Sequence, residues 1–181
     1  DMVEKTLMDI KFLFDSNVGL LGRALRMMGY DTVFTPIDMD DDALVHRALR
    51  QQRVVLTRDT HIPERRVVVQ GRLKALLIRD DNWRQQLVQV VRVFKLDWRT
   101  QQFTRCLECN VPLVAVDKEQ VKDLVPAHVY RTQTQYKQCP QCHRVYWQGS
   151  HWMSMKRELE RLLEPEAEET TSAGQEKAAG P

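Results

Sequence analysis

Residues 53–59, Arg-Val-Val-Leu-Thr-Arg-Asp, read as a short buried strand over Arg53–Thr57 that runs into an acid, Asp59. Val54, Val55 and Leu56 are aliphatic and mostly β-branched, and no charge interrupts them, as a strand covered on both faces requires. Residues 10–15, Ile-Lys-Phe-Leu-Phe-Asp, repeat the pattern, with a strand over 10–14 ending at Asp15. A third such run, Lys74–Ile78, leads into Asp80 and Asp81, and a short one at Thr32–Phe34 is followed by a loop through Pro36.

Amphipathic stretches separate these runs. Asn17 is placed to cap a helix reaching Met28, with Leu20, Leu21, Ala24, Leu25 and Met28 on one face and Gly29 to end it. The triplet Asp40, Asp41 and Asp42 opens a second helix, whose apolar side is Leu44, Val45, Ala48 and Leu49. Leu87, Val90, Val91 and Phe94 mark a third. Strands alternating with helices imply an α/β fold with a parallel sheet flanked by helices. In open sheets of this kind the site lies beyond the carboxyl ends of the strands. Asp15, Asp59 and the Asp80/Asp81 pair all stand where a strand runs out, so parallel pairing gathers them, with Asp41 and Asp42, on one edge.

Taken singly, each acid is a turn or cap residue. Together they repel one another unless a divalent cation neutralises them, and an all-oxygen donor set favours Mg²⁺ or Mn²⁺. Such an ion can activate a water and stabilise a leaving oxygen. Rival chemistries find no support: the chain carries no phosphate-loop motif, no dinucleotide fingerprint and no nucleophile elbow, and has only 7 glycines.

From Phe103 to Trp147 the character changes. All 4 cysteines fall here, as the pairs Cys106/Cys109 and Cys139/Cys142. Two C-x-x-C turns suit a closed, structural four-thiolate Zn²⁺ site in a reducing, cytoplasmic compartment. A redox dithiol would need only one such turn, and His143 is an adjacent but superfluous ligand. A helical turn is expected at Lys118–Leu124 and a helix from Ser150 through Leu163, with Met153, Met155, Leu159, Leu162 and Leu163 as packing residues.

The chain has 181 residues, 43% of them apolar and 29% charged, as in a soluble globular protein. No run approaches the ~18 apolar residues of a membrane span. Its net charge of +2 hides an asymmetry: residues 164–181 carry five acids and one base, and the remaining 26 Lys+Arg against 20 Asp+Glu leave +6. A mildly basic body suits a polyanionic partner, and the acidic stretch has too little to bury to fold.

The ordered set Phe12-Leu13-Phe14-Asp15, Leu20–Tyr30, Asp41-Asp42-Ala43-Leu44, Val54–Asp59, the two cysteine turns and Val145–Trp152 resembles the Mut-7 C-terminal ribonuclease domain family. That family joins a PIN-like nuclease fold to a C-terminal zinc ribbon. The resemblance implies a nuclease domain over 9–100, a ribbon with its C-terminal helix over 103–163, and an acidic tail over 164–181. It implies a ribonuclease that hydrolyses RNA phosphodiesters, single-stranded by preference, with Asp15, Asp41 (or its neighbour Asp42) and Asp59 holding Mg²⁺ or Mn²⁺. Zinc would be held by Cys106, Cys109, Cys139 and Cys142. Arg23, Arg26 and Arg58 lie near the acids in sequence and are candidates for RNA phosphate contacts, with helix-face ion pairs as the alternative. Tyr136, Tyr146, Trp147 and Trp152 either stack on bases or build the core that a small zinc module lacks. The further Glu that many PIN-like domains carry has no clear counterpart. A non-catalytic RNA-binding or adaptor module with a degenerate site is therefore the alternative function.

Overall fold

The computed structural model describes residues 10–15 and 19–164. The expected cap Asn17 and the acidic stretch beyond Glu164 lie outside the described residues. Strand β1 (Phe12–Phe14) is followed by α1 (Gly19–Met27), β2 (Thr32–Phe34), α2 (Asp41–Gln51) and β3 (Val54–Thr57). Two one-turn helices, α3 (His61–Glu64) and α4 (Arg66–Val69), lead to β4 (Ala75–Leu77) and α5 (Trp83–Phe94). All four strands pair in parallel, in the order β2-β1-β3-β4.

The alternation of side chains along each strand explains the three layers. Phe12 and Phe14 of β1, with Val54 and Leu56 of β3, face α1 and α5 and pack with Leu21, Leu25, Met28, Leu87 and Val90. Leu13 and Val55 point the other way, onto Leu44, Ala48, Ile62 and Leu73. Every residue of β1 and β3 is buried, so these two strands form the centre of the sheet. Asp40 caps α2 by accepting the Ala43 N–H at 2.8 Å. Helix α1 ends where Gly29 takes φ +94° and the Tyr30 N–H reaches back to the Leu25 carbonyl. A Cβ at Gly29 would stand 2.5 Å from the Gln101 carbonyl oxygen, so the segment leading to the cysteines lies directly against this turn.

That segment forms a second, antiparallel sheet of β5 (Val114–Val116), β6 (Tyr136–Gln138) and β7 (Val145–Tyr146). A 3₁₀ turn (Lys118–Val121) and α6 (Ala127–Thr132) cover it with Val121, Val125 and Val129 around Tyr136. Helix α7 (Ser150–Leu163) then leaves the cysteine module and returns to the first domain. Leu159, 2% exposed, sits in the same core as Phe12 and Leu87, with Trp152, Met155 and Leu163 packed against it. The helix expected to belong to the ribbon thus completes the core of the parallel-sheet domain.

Candidate functional site

The chain leaves β1 to one side to make β2 and crosses back to make β3, so the connections diverge at the carboxyl ends of β1 and β3. In such sheets the place where the connections diverge is the usual ligand position. Asp15 and Asp59 flank it. The Asp15 N–H continues the ladder to the Leu56 carbonyl at 3.2 Å, which fixes the Asp15 backbone against β3. Thr57, fully buried, links the two acids: its hydroxyl donates to Asp15 Oδ2 at 3.1 Å and accepts the Asp59 N–H at 3.0 Å. Asp59 Oδ1 in turn accepts the His61 N–H at 2.8 Å, which starts α3.

Asp41 and Asp42 occupy the first turn of α2, where the helix dipole favours negative charge. Both are held by Arg65, from the junction of α3 and α4: one guanidinium nitrogen lies 3.3 Å from Asp41 Oδ2 and another bonds Asp42 Oδ1. Asp80 closes a local turn by accepting the Asn82 N–H at 2.7 Å, and Asp81 pairs with Arg58. The donor chemistry of this edge is all oxygen, as Mg²⁺ or Mn²⁺ would need. Its carboxylates do not close on a common point. Among the described residues, the four cysteines are the one group of three or more candidate ligands gathered within 4.8 Å of one another.

The cysteine site is drawn together by two tight turns. The Cys109 N–H points to Cys106 Sγ at 3.4 Å, and the Gln141 and Cys142 N–H groups point to Cys139 Sγ at the same distance. Cys106 and Cys142 Sγ are 3.8 Å apart. A tetrahedron with ~2.3 Å metal–sulfur bonds has an edge of about 3.8 Å, so the spacing fits a four-thiolate ion. The Tyr146 hydroxyl lies 3.2 Å from Cys106 Sγ and accepts the Leu107 N–H. Burial alone would push the Cys106 thiol up, but the Tyr146 hydroxyl and the Cys109 and Glu108 N–H groups outweigh it and bring it down to about 7. Cys106 therefore favours the thiolate, the ligand form, whereas the shared hydrogen bond with the Cys142 sulfur, together with burial, pushes Cys109 up to about 12, and burial pushes Cys139 up.

The three candidate arginines part company. Arg58 stays on the acid edge through Asp81. Arg23 is half-exposed and pairs with Glu108 at 2.6 Å, between the cysteines of the first turn. Arg26 is 7% exposed, so in this structure it does not face a phosphate. Its guanidinium donates to the carbonyls of Thr32, Leu107 and Glu108, tying the first cysteine turn to α1 and β2. Desolvation is the largest influence on Arg26 and lowers its pKa. Of the four aromatics, Tyr136 is buried in the small core and Trp147 packs against it. Trp152 packs on Phe103 with centroids 4.9 Å apart.

Residue-type reasoning missed three contributors. Thr57 was legible in principle, as a hydroxyl at a strand position whose neighbours in register are apolar. Arg65 carries no local signal, because its partners are more than 20 residues away. The third is the Asp31 cluster at the opposite edge of the sheet. Arg53 reaches both Asp31 oxygens, at 2.8 and 3.1 Å, and the Asn110 amide adds a bond at 2.7 Å from just past Cys109. Burial would raise the Asp31 pKa, but the Arg53 and Asn110 hydrogen bonds prevail and hold it below the usual carboxylate range.

A parallel sheet with acids at its switch point, followed by a four-cysteine module, is the arrangement the sequence resemblance implies. No curated protein and no solved structure matches the chain significantly. A family model, described as the Mut7-C RNAse domain, matches residues 10–159. The match spans both sheets and most of α7, and the chain belongs to the Mut7-C RNAse domain family.

Proposed function

We propose that the chain is a divalent-metal-dependent ribonuclease that hydrolyses phosphodiester bonds of single-stranded RNA at the carboxyl edge of β1 and β3. The observation that carries this reading is the pair Asp15 and Asp59, bridged by a buried Thr57 hydroxyl at the sheet's switch point, in a chain of an RNAse family. Asp15 and Asp59 would hold Mg²⁺ or Mn²⁺, with Asp41 or Asp42 as a third ligand once released from Arg65. When bound, such an ion supplies charge neutralisation and activation of a water at neutral pH. Thr57 would hold the Asp15 carboxylate in place, and Arg58, once freed from Asp81, would meet a phosphate oxygen. The four cysteines would hold one structural Zn²⁺, with no open position for substrate.

A second reading has one observation in its favour. Among the described residues no three of the edge carboxylates gather within metal-ligand distance of one another, as a non-catalytic RNA-binding module would allow. One assay separates the two. Labelled single-stranded RNA is incubated with Mg²⁺ or Mn²⁺ and wild-type, Asp15→Asn or Asp59→Asn protein. Removing a partner behind a metal ligand already costs ~10–100-fold, so each ligand change should cost on the order of 100-fold or more with folding intact. Cleavage that persists in both variants sinks the assignment, and absence of cleavage with any divalent ion favours the binding module.

A further inference from the structure

We propose that the groove between the cysteine module and helix α7 binds one or two unpaired nucleotides of RNA, at a site separate from the acid edge. Four aromatic residues line it: Phe103, Tyr146 and Trp147, and Trp152 on α7. The cavity measures about 430 Å³, within the range of small-molecule sites. Both tryptophans are half-buried, and both line the cavity. Trp152 is braced by Phe103, and Tyr146 is fixed by its hydroxyl, so little ordering cost remains when a flat ligand enters. Gly149 contributes by having no side chain: a Cβ there would lie 2.8 Å from Trp147 Nε1, in the space the indole uses.

The charge around the rings selects the ligand. Arg23, Arg144, His128 and His151 line the groove, and among the described residues no Asp or Glu does. Glu108 pairs with both arginines, at 2.6 Å and 3.3 Å, so two guanidiniums share one carboxylate and the rim stays positive. Fixed aromatic faces under a cationic rim match a base with its attached phosphate. The bases of a duplex are already stacked and paired, and cannot present a face to the indoles; only an unpaired strand fits. This site does not need the acid edge to be the cutting site.

The experiment measures fluorescence anisotropy of a labelled 12-nucleotide oligouridylate with the full chain and no added Mg²⁺ or Mn²⁺, and maps contacts by ultraviolet cross-linking and mass spectrometry. Cross-links should fall on Tyr146, Trp147 or Trp152. The double variant Arg144→Glu with His128→Glu, both exposed positions, should weaken binding roughly 10-fold or more, while Arg50→Glu on α2 should change it by less than about twofold. A duplex of equal length should bind roughly 10-fold more weakly than the single strand. Binding that survives the double variant, an equal loss in Arg50→Glu, or cross-links confined to other surfaces overturns the proposal. So does self-association, without RNA binding, that the double variant abolishes; that result assigns the groove to a second copy of the chain. With no divalent ion added, binding is read apart from cleavage: lost cross-links at Tyr146, Trp147 and Trp152 speak against the groove alone, and lost ion-dependent cleavage speaks to the hydrolytic reading alone.

Discussion

Two clusters of potential metal ligands stand at opposite degrees of completion in this molecule. The four cysteines come from two tight turns, and their sulfurs already lie within 4.8 Å of one another. The acids come from β1, β3 and α2, and are linked through intermediaries: a threonine hydroxyl between Asp15 and Asp59, and a guanidinium on Asp41 and Asp42. The physical difference is the origin of the geometry. A C-x-x-C turn sets its two sulfurs by local backbone, whatever the rest of the chain does. An acid edge is assembled by strand order, and its carboxylates are engaged by a hydroxyl, an N–H group and a guanidinium that different segments bring to it.

The largest test of this contrast removes one sulfur. Cys139→Ser, at a fully buried position, should forfeit several kcal/mol of metal-linked folding energy. Hydrogen exchange should then show β5, β6 and β7 open while α1 and α5 keep their protection. Equal loss of protection in α1 and α5 would mean that the two regions fold as one unit and the contrast is drawn too sharply.

A smaller effect comes from the seam. Asp31 is held charged by Arg53 and Asn110, and its folded pKa lies below the unfolded one. The sign follows: this contribution is fully present above the ordinary carboxylate pKa and fades as pH falls through the lower folded value. Asp31→Asn should therefore cost on the order of 2 kcal/mol at neutral pH and progressively less in acid. Thermal melts of the two proteins that stay equally far apart down to strong acid would contradict the assignment.

The smallest change concerns Arg65. Its ion pairs are partly exposed, so Arg65→Gln should alter stability by less than about 1 kcal/mol. If Asp41 or Asp42 serves as a ligand, the same change should lower the Mn²⁺ concentration needed for half-maximal cleavage, because the ion no longer competes with a guanidinium. An unchanged or raised requirement would exclude both acids from the metal site.

Much of this was legible in the residues themselves. The alternation in Phe12, Leu13 and Phe14 fixes which side chain meets which helix layer, and the two C-x-x-C spacings fix the sulfur site without any knowledge of the fold. The strands at Thr32–Phe34 and Val54–Thr57, and the helix opened by Asp40–Asp42, follow from burial pattern and capping alone. Other features were out of reach for identifiable reasons. Helices α3 and α4 are one turn each, too short for a 3.6-residue period to show. Arg26 sits between Leu25 and Met27, where a charge reads as solvent-facing; its burial depends on carbonyls some 80 residues away. The packing face of α7 could be read from Met155, Leu159 and Leu163, but not which core it would join.

That last helix has a bearing on how the molecule reaches its native state. The parallel sheet is encoded early, yet Leu159 and its neighbours seal its apolar layer only after the whole cysteine segment has been made. During synthesis, Phe12, Leu87 and their companions must wait with one flank uncovered. The first core is thus closed by the last helix made, whatever the state of the four sulfurs in between.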